Sequence, residues 1–190
     1  MNVGYEYLKV SLSKNLIKQA IKQTSDITKK VFFSLENEGI SVDKVFSNKN
    51  KSEIISTILE TKLAQVLNES LEDTVINAQK DADSDIRFVE KDIPLEIKIT
   101  STLNAWTGGS LSNRPATYLL VSWGGNYDEF FVSLIYLDKE DWRSGGDSYY
   151  GTSFSKKELI RNTNRVDLLG NLKLSERGGK QSIKMTRERV

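Results

Sequence analysis

Glu96 and Lys98 stand two residues apart in Pro94-Leu95-Glu96-Ile97-Lys98-Ile99-Thr100. The segment reads as a short strand, and successive side chains on a strand point to opposite faces. An acid and a base therefore project together, while Leu95, Ile97 and Ile99 face a core. Eleven residues before Glu96, Asp85 opens a second strand candidate in Asp83-Ser84-Asp85-Ile86-Arg87-Phe88-Val89. Carboxylates and carbonyls are the oxygen donors that a hard cation such as Mg2+ prefers. Asp85 and Glu96 supply two carboxylates, and the Ile97 carbonyl adds a third oxygen. A lysine beside such a site orients a water or offsets charge that builds up on a phosphate. The pattern is suited to holding a divalent cation next to a phosphate group.

Composition leaves few alternatives to that chemistry. The 190 residues include neither histidine nor cysteine. Imidazole bases, Ser-His and Cys-His nucleophiles, thiolate or imidazole metal sites and disulfides are thereby excluded. Length and apolar content suit one domain, 1–190, with a sizeable core. No apolar run reaches the ~20 residues of a membrane span, and Met1-Asn2-Val3-Gly4-Tyr5-Glu6 lacks a signal-peptide pattern. A cytoplasmic protein with no membrane partner is expected. The net charge of +1 conceals two uneven regions. Asn68 to Glu96 carries nine acids against three bases, and Ser155 to Val190 carries ten bases against four acids. That distribution suits a cation site serving a polyanion; two solvated faces of opposite sign would look the same.

The elements that must position these residues follow from the hydrophobic period. In the N-terminal part, about 1–75, Leu12, Leu16, Ile17, Ala20, Ile21, Ile27 and Val31 recur at three- and four-residue spacing, which predicts helix. Gly39 and Ser47-Asn48-Lys49-Asn50-Lys51 read as loop, with Ser52 as the N-cap of a second helix carrying Ile54 to Leu71. From about 80 to 140 the pattern is strand-like. Ile86–Val89 and Leu95–Ile99 should pair as a hairpin through Glu90 to Asp92. If Phe88 sits opposite Ile93, Asp85 falls opposite Glu96 on the same face. Asp83, two residues away, faces the same way and is a weaker alternative ligand. Tyr118–Trp123 and Phe130–Leu137 read as further strands joined by a Gly124-Gly125-Asn126 turn. The basic part from about 141 to 190 reads as loop-rich, with one short helix at Lys156–Ile160. Helices followed by strands imply an α/β fold with a mixed central β-sheet flanked by helices.

Asp85 followed by Leu95-Glu96-Ile97-Lys98 resembles the PD-(D/E)xK nuclease motif, most like that of type II restriction endonucleases, over roughly Ser52 to Leu137. The order of elements also resembles that family's core. The resemblance implies a restriction-endonuclease-like fold and Mg-dependent, sequence-specific hydrolysis of phosphodiester bonds in double-stranded DNA by a homodimer. It makes Asp85 and Glu96 metal ligands and Lys98 the catalytic lysine. Ser84 stands where the motif has proline, which leaves the choice between Asp83 and Asp85 open. Glu60 lies on the flank of the second helix, about where this family often supplies an additional acid; a solvated glutamate is the plainer reading. Asn104 to Ser110 with Ser112-Asn113-Arg114 reads as a polar, glycine-rich loop after the catalytic strand. Such a loop suits DNA contact through Asn104, Asn113 and Arg114, with Arg114 matched to guanine and Asn113 to adenine; phosphate contact alone is the equal alternative. Trp123 and Trp142 read as core. A repair or recombination nuclease of the same superfamily, or a non-catalytic DNA-binding protein, would share much of this pattern.

Overall fold

A computed structural model of the chain describes residues 2–77, 84–101, 105–108, 115–142, 152–161, 166–177 and 180–186. The first third is helical, as its apolar spacing requires: α1 (Val3–Ser11), α2 (Lys14–Asn37), the single turn α3 (Val42–Val45) and α4 (Asn48–Ser70). The expected start of the last helix at Ser52 is corrected to Asn48. Ser47 Oγ accepts the Asn50 N–H while the Asn50 side chain accepts the Ser47 N–H. This reciprocal capping box satisfies two otherwise orphaned donors and lets a wholly polar run begin a helix. Ile55, Leu59, Leu63, Val66 and Leu67 form the buried stripe of α4.

Strands follow: β1 (Val75–Asn77), β2 (Ile86–Phe88), β3 (Ile93–Thr100), β4 (Ala105–Gly108), β5 (Ala116–Gly124), β6 (Glu129–Leu137), β7 (Thr152–Ser155), β8 (Val166–Arg177) and β9 (Lys180–Thr186), with α5 (Lys156–Arg161) between β7 and β8. Seven of them form one sheet in the order β1-β2-β3-β5-β6-β8-β9, and β4 pairs with β7 in a separate two-stranded sheet. Only β3 and β5 run parallel among these pairs. The fold is α/β with a mixed central sheet, as the order of helices and strands implied.

Two expectations about loops are overturned. Ala105–Gly108 is a strand, not part of a loop, and Trp106 within it is buried. Residues 166–186, expected as loop-rich, contribute β8 and β9. β8 carries a bulge: Ser133 pairs with Leu168 and Val132 with Gly170, leaving Leu169 as an extra residue. The inserted residue reverses which positions share a face, although along the sequence apolar residues keep to even positions at Val166, Leu168, Leu172 and Leu174.

β5 is buried from Ala116 to Trp123, so cores form on both faces of the sheet. On one face Leu119 and Val121 join Leu95, Ile97, Val132 and Leu134 against α1, α2 and α4. On the other, Tyr118, Leu120, Phe131 and Ile135 pack with Trp106, Trp142, Phe154 and Leu159. Trp123 and Trp142 are core residues, as expected. None of the described helices is long and apolar enough to cross a membrane.

Ser47→Ala removes the oxygen that caps α4 and should lower stability by about 1 kcal/mol. Chemical denaturation checks this; an unchanged midpoint would mean that α4 starts independently of its cap.

Candidate active site

β2 and β3 pair through Phe88–Ile93, Arg87–Pro94 and Ile86–Leu95, the register expected from the sequence. Asp92 closes the turn with φ 53°, a left-handed conformation that aspartate tolerates better than most residues. Its carboxylate meets the Arg87 guanidinium across the hairpin. One step beyond the last pair, Asp85 stands level with Glu96. Among the described residues no strand pairs with β3 on this side beyond Leu95. The Ile97 N–H is satisfied instead by the Asp85 side chain, donating to Oδ2 at 2.6 Å. A carboxylate takes over where the ladder ends, and that hydrogen bond holds Asp85 against the edge of β3. The N–H and C=O of one strand residue leave the same side of the strand, so the Ile97 carbonyl opens toward the same edge.

Glu96 and Lys98 share a face, as the period of two dictates. Pairing with β5 sets Glu96 level with Tyr118 and Lys98 level with Leu120. Lys98 Nζ donates to Glu96 Oε2 at 3.2 Å and lies 3.7 Å from Asp85 Oδ2. Glu96 is 8% exposed, and the side chain of Asp85 is 30% exposed. Asp85 is the more open of the two to an incoming ligand.

Glu60 belongs to the same electrostatic cluster. It is half-buried on α4, where the Ser56 hydroxyl donates to its Oε1 at 2.7 Å. Burial pushes its pKa up from 4.5 to about 7; the Ser56 hydrogen bond opposes the rise, and the charge of Asp85 adds to it. Lys98 and Glu96 act on it in opposite directions, more weakly. Its coupling to all three sequence-identified residues is not that of a freely solvated helix-flank glutamate.

Three carboxylates face one ammonium here, which leaves two negative charges when all are ionised. A divalent cation would balance them, and the donors are of the oxygen type that Mg2+ takes. Mg2+ keeps several waters and is usually held by one or two carboxylates. Among the described residues no three carboxylates stand close enough to share one ion. Asp85, Glu96 and the Ile97 carbonyl could supply oxygen donors to such an ion, and Glu60 lies further out.

Asp83, Asn104, Asn113 and Arg114 lie outside the described residues. Sequence reasoning missed Ser56, although its four-residue spacing from Glu60 on a helix was a usable signal. It also missed Ser52 as a site residue. Ser52 Oγ accepts the Trp123 indole N–H at 2.9 Å beside a cleft of about 360 Å³ between the first turns of α4 and the end of β3. A larger cavity of about 740 Å³ lies beyond Asn48, lined by Phe32, Trp123 and Tyr127. None of Asp85, Glu96, Lys98 and Glu60 lines it, so the smaller cleft is the one next to the chemistry.

The sequence matches no protein-family model and no curated protein.

The raised pKa of Glu60 has a signature in stability. The folded state holds this proton more tightly than the unfolded chain, so Glu60's contribution is fully present below pH 4.5 and is lost as pH rises to about 7. Glu60→Gln cannot ionise and escapes that loss. With a chelator present, the variant should gain stability relative to the parent across this window. Parallel stability–pH curves in denaturant titrations would place Glu60 in water rather than in the cluster.

Proposed function

We propose that the chain is a metal-dependent endonuclease of the type II restriction kind, hydrolysing phosphodiester bonds in double-stranded DNA with Mg2+. The observation that carries this reading is the open edge of β3. There the Lys98 ammonium stands within 3.7 Å of both the Asp85 and the Glu96 carboxylate, with a backbone carbonyl alongside and no histidine or cysteine anywhere in the chain.

When bound, Mg2+ supplies a water that ionises near neutral pH and positive charge beside the phosphate. Asp85, Glu96 and the Ile97 carbonyl would hold it. Lys98 Nζ, on the same face of β3, would orient the attacking water or offset charge on a non-bridging phosphate oxygen in the transition state. The water oxygen bonds to phosphorus, one P–O ester bond breaks, and the leaving oxygen takes up a proton. No covalent enzyme intermediate is needed. Leu95, Ile97 and Ile99, packed in the core behind, keep the strand from shifting as the charges rearrange.

The basic C-terminal part supports a polyanionic partner. Ser155 to Val190 carries ten bases against four acids, and a phosphate backbone is the partner that such an excess of positive charge suits. A symmetric DNA target would call for a two-fold homodimer with one active site per strand.

Two substitutions test the chemistry. Lys98→Ala should lower the cleavage rate by about 10²–10³-fold and leave DNA binding intact, read by gel assay of duplex DNA with and without Mg2+. Asp85→Asn keeps an oxygen that can accept the Ile97 N–H and so preserves the hairpin, yet it should be equally inactive. Substantial cutting by either variant would remove that residue from the mechanism. Duplex binding with no metal-dependent cleavage by the parent protein would make it a non-catalytic binder.

A further inference from the structure

We infer that the cleft between α4 and the end of β3 holds a phosphodiester next to the one being cleaved, contacted by Lys49, Ser52 and Ser101. This rests on the function proposed above and adds to it a place where the DNA backbone lies.

One wall of the cleft is the consecutive run Ile97 to Ser101, and the other is the first turns of α4 from Asn48 to Ser56. Residues from both faces of a strand line one space along its unpaired edge and past its end, and the unpaired edge of β3 is the one that Asp85 caps. Lys98 lines the cleft and also pairs with both carboxylates, so the cleft opens directly from the proposed site of cleavage.

The hydroxyl groups can be followed proton by proton. Ser56 gives its proton to Glu60 and has none left to donate. Ser52 is the reverse: its oxygen accepts the Trp123 N–H at 2.9 Å, so its own proton remains to be donated. Ser101 and Thr107 add two further hydroxyls to the lining. Lys49 is tied to Glu53 at 3.8 Å, but these side chains are 82% and 61% exposed. Such a pair contributes little in water, and an incoming anion can displace it readily.

The occupant follows by elimination. A cation would find one carboxylate, Glu53, against the two lysines Lys49 and Lys98. An apolar ligand would strand the hydroxyls and charges without partners. At about 360 Å³ the space lies near the lower end of small-ligand sites and suits a sugar–phosphate unit. Once a cation balances Asp85 and Glu96, Lys49 and Lys98 outnumber Glu53 in the lining, and donors in excess favour a phosphodiester oxygen.

The experiment uses the full chain and a mixed-sequence DNA duplex containing a site it cuts, made in versions that carry one neutral methylphosphonate at each phosphate flanking the cut. Cleavage with Mg2+ gives KM and kcat, and fluorescence anisotropy with Ca2+ gives Kd without turnover. Lys49→Ala should raise KM and Kd about tenfold, with a smaller effect on kcat. One methylphosphonate position should do the same to the parent protein, and the two changes together should cost no more than either alone. Lys49→Arg should recover most of the loss, and Ser101→Ala provides an independent variant with the same pattern. Fully additive losses, or parent-like Kd in both alanine variants, overturn the assignment. Coupled binding without any cutting, at a phosphate of a duplex the protein binds, would sink the nuclease reading and leave the cleft as a backbone-phosphate site. Cutting without coupling would do the reverse, and a parent protein that binds no duplex would overturn both.

Discussion

The site depends on the burial of β5. A strand with no solvent-facing side must have its backbone groups paired by neighbours on both flanks. β6 is one neighbour and β3, running parallel, is the other. Parallel neighbours cannot be joined by a tight turn, so the chain must leave the sheet after β3 and return. It leaves through β4, which pairs with β7 away from the main sheet. Trp106, carried out by that excursion, is buried and donates its indole N–H to the Val121 carbonyl at 2.9 Å. The same departure that satisfies topology thus covers the second face of the sheet and withdraws water from the side where Glu96 and Lys98 project.

Solvent exposure sets the ion pairs of the site apart from those on the helix surfaces. Lys9–Glu6, Lys22–Asp26 and Lys49–Glu53 lie on helix surfaces with well-hydrated side chains; each is worth roughly 0–1 kcal/mol. The Asp85–Lys98–Glu96 group is 10–30% exposed and interacts through a medium that screens far less. There an unbalanced charge is costly, and burial raises the Glu60 pKa to about 7. An added positive charge would act more strongly there than at the surface pairs.

The hairpin and its charged face were legible in the sequence because both are local. A period of two and a short turn fix which residues stand opposite one another, and no distant contact enters. β5 and β6 were legible as apolar runs too dense for a half-exposed strand. The start of α4 was not, since Ser47 and Ser52 are equally good capping residues, and Asn50 completes the box where Glu or Gln is the usual signal. β4 was hidden by Asn104 and Gly108-Gly109, which read as turn residues. β8 does alternate, at Val166, Leu168, Leu172 and Leu174, but Gly170 and the adjacent Leu168-Leu169 interrupt the pattern. The membership of Glu60 depends on how α4 lies against the sheet, a tertiary relation that helix periodicity does not encode.

The hydrogen bond from Ile97 to Asp85 gives the backbone a view of the site. Most strand amides are shielded by neutral carbonyls whose strength as acceptors is constant. The Ile97 proton is shielded by a carboxylate, whose pull changes with its charge and with anything that competes for its oxygens. Ligation of Asp85 would therefore alter the chemical shift and solvent-exchange rate of this single amide while leaving the neighbouring ladder amides of β3 almost untouched. In a nitrogen-edited spectrum, one peak would register occupancy of the site in the absence of any substrate.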